Sequence, residues 1–164
     1  MEELLNQIER AVKAKLYFLA LMGVLIIPDI CGAIESTDGE ASRDKYIKWF
    51  DKNLEPEYGE CFTGADCYYF RCSLLHQGST RHSNSRYSRI LFIEPGPRPL
   101  YHANIMNDAF NIDVEIFCHD IIRKARQWLV TAKQMPNFQQ NIDKFMQRYP
   151  NGLPPYITGF PVIS

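Results

Sequence analysis

Six consecutive residues, Arg71-Cys72-Ser73-Leu74-Leu75-His76, carry an always-charged guanidinium and the one side chain that titrates near neutral pH. That pairing suits phosphodiester cleavage, in which arginine neutralises phosphate charge and histidine moves protons. The plainer reading of the same residues is a salt-bridging arginine and a histidine at a helix end. Context favours the chemistry. From Cys67 to Ile93 the chain has no acid, while Arg71, Arg81, Arg86 and Arg89 occur there with His76 and His82. Acids dominate instead from Asp29 to Glu60. The net charge of −1 argues against non-specific coating of nucleic acid, so any anion site must be this local basic island.

The element that must position the pair is a helix predicted over 64–77, ended by Gly78 as a left-handed cap. Cys67, Phe70 and Leu74 form its core-facing stripe. Five residues at about 100° each set Arg71 and His76 roughly 140° apart around the axis and about 7.5 Å along it. An unbroken helix does not aim both at one atom. Convergence then requires loosening of the helix at His76 or a second copy of the chain, with the long arginine side chain helping in either case. Asp66 pairs with Arg71 or caps the helix start, capping being the commoner role. Arg81, His82, Arg86 and Arg89 either guide a polynucleotide or form a solvated loop. Tyr68 and Tyr69 either stack on bases or belong to core or interface.

Elsewhere, apolar periodicity predicts helices over 2–26, from Pro28 to Ile34, over 43–53 with Ser42 as N-cap, over 111–133 and over 137–148. Residues 89–94 and 100–104 read as a short hairpin around the proline-stiffened stretch 95–99. The expected fold class is all-α, a bundle of five to six helices with a small β-hairpin insertion near 89–104. A single domain spans 1–164, with an extended tail over 150–164.

The five cysteines make an odd count without C-x2-C spacing, which excludes a paired disulfide framework and fits a reducing cytoplasm. His102 and His119 lack ligand partners at metal spacing, so no metal and no cofactor is expected. Cys72 and His76, four apart on a helix, form a weaker nucleophile–base candidate without an orienting third group. Leu16 to Ile27 is an apolar run of twelve residues cut by Pro28-Asp29, shorter than the ~20 residues a bilayer core requires, so a soluble chain without membrane contact is expected.

The stretch Tyr68-Tyr69-Phe70-Arg71-Cys72-Ser73-Leu74-Leu75-His76-Gln77-Gly78 resembles the R-x4-H motif of the HEPN superfamily (higher eukaryote and prokaryote nucleotide-binding domains). About ten residues match in detail. The resemblance implies a homodimer whose two motifs line one cleft, and metal-independent RNA cleavage by attack of the ribose 2′-hydroxyl. Arg71 would hold the scissile phosphate and His76 would transfer protons. It also implies a cytoplasmic setting in toxin–antitoxin or phage defence, with an antitoxin or regulatory protein as restraining partner. The residue after the arginine is usually polar in active members and is Cys72 here, a poor hydrogen-bonding substitute. Ser73 is the candidate to supply that polar group. The resemblance also extends to inactive relatives that serve as dimerising modules binding a protein, a nucleotide or RNA.

Overall fold

Leu5, Ile8 and Val12 recur every third or fourth residue and bury one stripe of α1 (Glu2–Lys13) in the computed structural model, which describes residues 1–96 and 101–164. The helix predicted over 2–26 does not run straight through. Lys15 takes φ +58, a left-handed conformation that no right-handed helix contains, and α2 (Tyr17–Leu25) begins only after it. One residue, Ile26, separates α2 from α3 (Ile27–Glu35), whose first turn holds Pro28. The proline therefore does not cut the apolar run as expected. Tyr17–Glu35 is long and apolar enough to cross a bilayer by length and composition, and half of it is buried inside the fold.

α4 (Arg43–Tyr58) starts at Ser42, whose side chain accepts from the Lys45 N–H, and it runs on past residue 53. α5 (Gly64–Gln77) occupies the predicted range.

The all-α expectation fails after α5. Among the described residues seven short strands form three small sheets, so the architecture is mixed α/β. β1 (Arg89–Ile93), β2 (Asn104–Met106) and β3 (Ala109–Asp113) make a sheet in the order β1-β3-β2. β1 runs parallel to β3, in register from Arg89 opposite Ala109 to Ile93 opposite Asp113, and β2 runs antiparallel to β3. The predicted hairpin of 89–94 with 100–104 does not form, because β1 and β2, which begins only at Asn104, flank β3 on opposite sides. The hairpin present is β2–β3, turned by Asn107 and Asp108 at φ 50 and 60, the pair of left-handed residues a two-residue type I′ turn requires. Residues 97–99 of the expected proline-stiffened loop and residue 100, the first of the expected second strand, lie outside the described residues.

The predicted start of the next helix at 111 is also corrected. Ala109–Asp113 is buried at all five positions, the polar Asn111 and Asp113 included, so this central strand has no exposed face, and its Ile112 falls in line with the apolar periodicity of the helix that follows. α6 (Val114–Ala132) begins where Asp113 Oδ1 accepts the N–H groups of Glu115 and Ile116 at 2.9 and 3.0 Å. α7 (Pro136–Asn141) gives way to a 3-10 turn, Ile142–Lys144, well before residue 148. In the tail, β4 (Arg148–Tyr149) pairs with β7 (Val162–Ile163), and β5 (Gly152–Leu153) pairs with β6 (Ile157–Thr158).

Aromatic packing ties the sheet to the motif helix. Phe92 on β1 lies with its ring centroid 4.9 Å from Phe70 on α5 and 5.3 Å from Phe117 on α6. Phe62 stacks on Phe110 of β3 at 5.1 Å. Through Phe70 one face of α5 thus rests on β1.

Candidate functional site

α5 is fixed at both ends. At its start, Thr63 Oγ1 accepts the Asp66 N–H at 3.4 Å while Asp66 Oδ2 accepts the Thr63 N–H at 2.9 Å, a reciprocal capping box. The Gly64 N–H donates to Asp51 Oδ1 at 2.6 Å, and Gly64 passes so close to α4 that a Cβ there would lie 2.6 Å from Ile47 O. At its end Gly78 is left-handed, at φ 61 and ψ 25, and its N–H reaches Leu74 O at 3.0 Å.

The helix does not loosen at His76. Convergence is achieved instead by the reach of Arg71, whose Nη1 lies 3.5 Å from His76 Nε2. For Nη1 to donate there, Nε2 must carry its lone pair and the ring proton must sit on Nδ1, a tautomer assigned from this contact. His76 is exposed and Arg71 half-buried. The other arm of the guanidinium, Nη2, lies 2.7 Å from Asp29 Oδ2 on α3. The Tyr68 ring centroid is 5.9 Å from the guanidinium carbon, and Cys72 Sγ is 3.9 Å from Nη1. Arg71 Nε is buried and has no acceptor.

Burial is the largest influence on both ion-pair partners. It works against the Arg71 charge, but Asp29 and the Cys72 sulfur outweigh it and hold the arginine pKa above its ordinary value. For Asp29 burial prevails, raising the carboxyl pKa although Arg71 pulls the other way. The site thus presents a permanently charged guanidinium beside a solvent-facing imidazole, backed by a carboxylate held in poorly solvated surroundings.

The remaining candidates lie in different places. Cys72 is half-buried beside Arg71. Ser73 faces the core, fully buried, and its Oγ has no hydrogen-bond partner. Asp66 is buried as the helix cap and ion-pairs with Arg86, whose Nε donates to Asp66 Oδ1 at 2.9 Å and whose Nη2 donates to Glu60 O at 2.8 Å. That arginine is therefore spent on fastening the 79–88 segment to the start of α5. Arg81 is exposed in that segment, and Arg89 is exposed at the first position of β1. Tyr69 stacks on His82 at 4.8 Å, and its hydroxyl accepts from Arg43 Nη2 at 2.8 Å. His102 packs edge-on against Tyr58 at 5.7 Å, and His119 is exposed. Among the described residues no group of three or more His, Cys, Asp or Glu side chains could hold a metal ion.

Two members of this neighbourhood escape a reading of the sequence. Asp29 follows Pro28 in the first turn of a helix, where an acid ordinarily serves the helix dipole, so nothing marks it as the partner of Arg71. Arg43 opens α4 in an acid-rich stretch and gives no sign of reaching Tyr69. Family models, curated proteins and solved structures were each searched with this chain, and none matches it.

Proposed function

We propose that the chain is a metal-independent endoribonuclease of HEPN type, with Arg71 and His76 as its catalytic residues. The observation that carries this reading is the 3.5 Å approach of Arg71 Nη1 to His76 Nε2 on the solvent side of a helix capped at both ends. Arg71 binds a non-bridging oxygen of the scissile phosphate and spreads its charge. Once the phosphate oxygen takes over the Arg71 Nη1 donor, the freed Nε2 lone pair of His76 takes the proton of the ribose 2′-hydroxyl, which attacks the phosphorus. The P–O5′ bond breaks and the 5′-oxygen takes a proton from solvent, giving a 2′,3′-cyclic phosphate and a 5′-hydroxyl, while the His76 imidazolium returns its proton to solvent. The protein acts as a homodimer with both motifs on one cleft, under restraint by an antitoxin or regulatory protein in the cytoplasm.

The test is incubation of purified protein with RNA and a chelator, comparing wild type with Arg71→Ala and His76→Ala. Wild type should yield cyclic-phosphate ends, and each variant should lose about 100-fold or more in rate. Equal cleavage by all three proteins refutes the reading. Cys72 supports a second reading, a non-catalytic module that binds RNA, a nucleotide or a protein. Its signature would be RNA binding without turnover that survives His76→Ala.

A further inference from the structure

We propose that Asp29 is the positioning residue of the Arg71–His76 pair, holding the guanidinium from behind so that Nη1 stays turned toward the imidazole. The inference rests on the nuclease reading and adds a residue from a different helix to its machinery.

Three observations point to it. First, the Asp29 side chain is more enclosed than the arginine it faces, at 13% against 21% exposure, as befits a group behind the guanidinium rather than in front of it. An acid that merely blocked the site would stand on the outer side, where a phosphate must enter. Second, Asp29 is not serving the start of its own helix. Its buried Oδ2 makes no hydrogen bond, so its 2.7 Å contact with Arg71 Nη2 is an ion pair, whereas Asp66 and Asp113 at their helix starts both accept backbone N–H groups. Third, the platform under Asp29 is stiff. Pro28 fixes the first turn of α3, and Gly32 one turn on lies so close to α4 that a Cβ would come within 3.0 Å of Lys45 O.

The remaining contacts of Arg71 cannot hold it alone. Nη1 lies 3.5 Å from Nε2 and 3.9 Å from the Cys72 sulfur, both long, the Tyr68 ring centroid is 5.9 Å from the guanidinium carbon, at the outer limit of a cation–π contact, and Nε has no acceptor. The 2.7 Å ion pair is the one short contact the guanidinium makes among the described residues. Without it a long, many-rotamer side chain is free to swing into solvent. With it the second arm faces His76 before any substrate arrives, and the geometry is set in advance.

The experiment compares wild type with Asp29→Asn, which keeps the shape and removes the charge. In RNA cleavage, kcat should fall by about 10-fold or more while KM stays within about 2-fold, since orientation rather than affinity is lost. The steady-state heteronuclear NOE of the Arg71 Nε–Hε group should be that of a rigid side chain in wild type and of a mobile one in the variant. An unchanged NOE overturns the proposal. So does an unchanged or increased kcat, the latter showing that the carboxylate competes with phosphate. A loss of kcat that only tracks a fallen melting temperature also overturns it, because it shows a merely structural role. If wild-type protein cleaves no RNA, the nuclease reading fails by itself, and the NOE still decides whether Asp29 holds Arg71.

Discussion

The Arg71 guanidinium has five N–H donors, and the free protein employs them sparingly. Nη2 meets Asp29, Nη1 makes a long approach to His76, and Nε meets no acceptor. The Nη1 arm, which faces the exposed His76, is what a phosphate oxygen would take up. Cys72 is the weak point, because sulfur at 3.9 Å gives Nη1 little to bond to. Replacing it by a carboxamide should help. Cys72→Asn is expected to raise RNA cleavage on the order of 10-fold in the same chelator assay, and a lowered rate would show that the thiol is the better fit. The arginine and the histidine could be picked out of the sequence because their types are rare and their chemistry is specific. Asp29 could not, since its role depends on α3 lying beside α5, and a carboxylate after a proline at a helix start has a common local explanation. Ser73 misled for a related reason: adjacency in sequence places it on the far side of the helix, in the core.

At the level of elements, the site depends on how α5 is seated. Gly64 lets its first turn touch the backbone of α4, and a methyl group there would meet Ile47 O at 2.6 Å and Ile47 Cα at 2.9 Å, neither of which can rotate away. Gly64→Ala should therefore cost about 2–3 kcal/mol and tilt the motif helix, lowering cleavage as well as stability. Thr63→Ala removes only the cap, and about 1 kcal/mol is expected with the cleavage rate retained in the folded protein. Denaturant titrations of both variants check the pair, and equal costs would contradict the close approach. The helix was legible because Gly78 stops it and Cys67, Phe70 and Leu74 give it one buried stripe. β3 was not. Its buried run, Ala109 to Asp113, leads straight into the apolar face of α6, so helical periodicity absorbs it. Its parallel pairing with β1 is non-local, and no turn signal announces it. The Asn107-Asp108 turn did carry a local signal, two residues that tolerate left-handed backbone, and it marks the true hairpin.

Across the whole molecule, stability should depend on pH through His102. Burial depresses its pKa below the ordinary imidazole value, although Asp120 and Asp113 oppose this. Nδ1 also accepts the Asp113 N–H at 3.3 Å, which a protonated ring cannot do. The folded state thus prefers the neutral ring. Its contribution is complete above the unfolded pKa, near 6.5, and is lost as pH falls through the lower folded value. Melting temperature should drop on going from about pH 7 to pH 5, and His102→Gln should flatten that slope. An unaltered slope in the variant would assign the dependence elsewhere. The mixed architecture has its own logic at this scale. Phe62, Phe92, Phe110 and Phe117 join strands to helices in one aromatic core, so the sheet buries its inner face against the helices. One side chain within that assembly has a consequence for descent. Asp66 answers to Thr63 and to Arg86 together, so a lineage altering any of these three positions must rework the others.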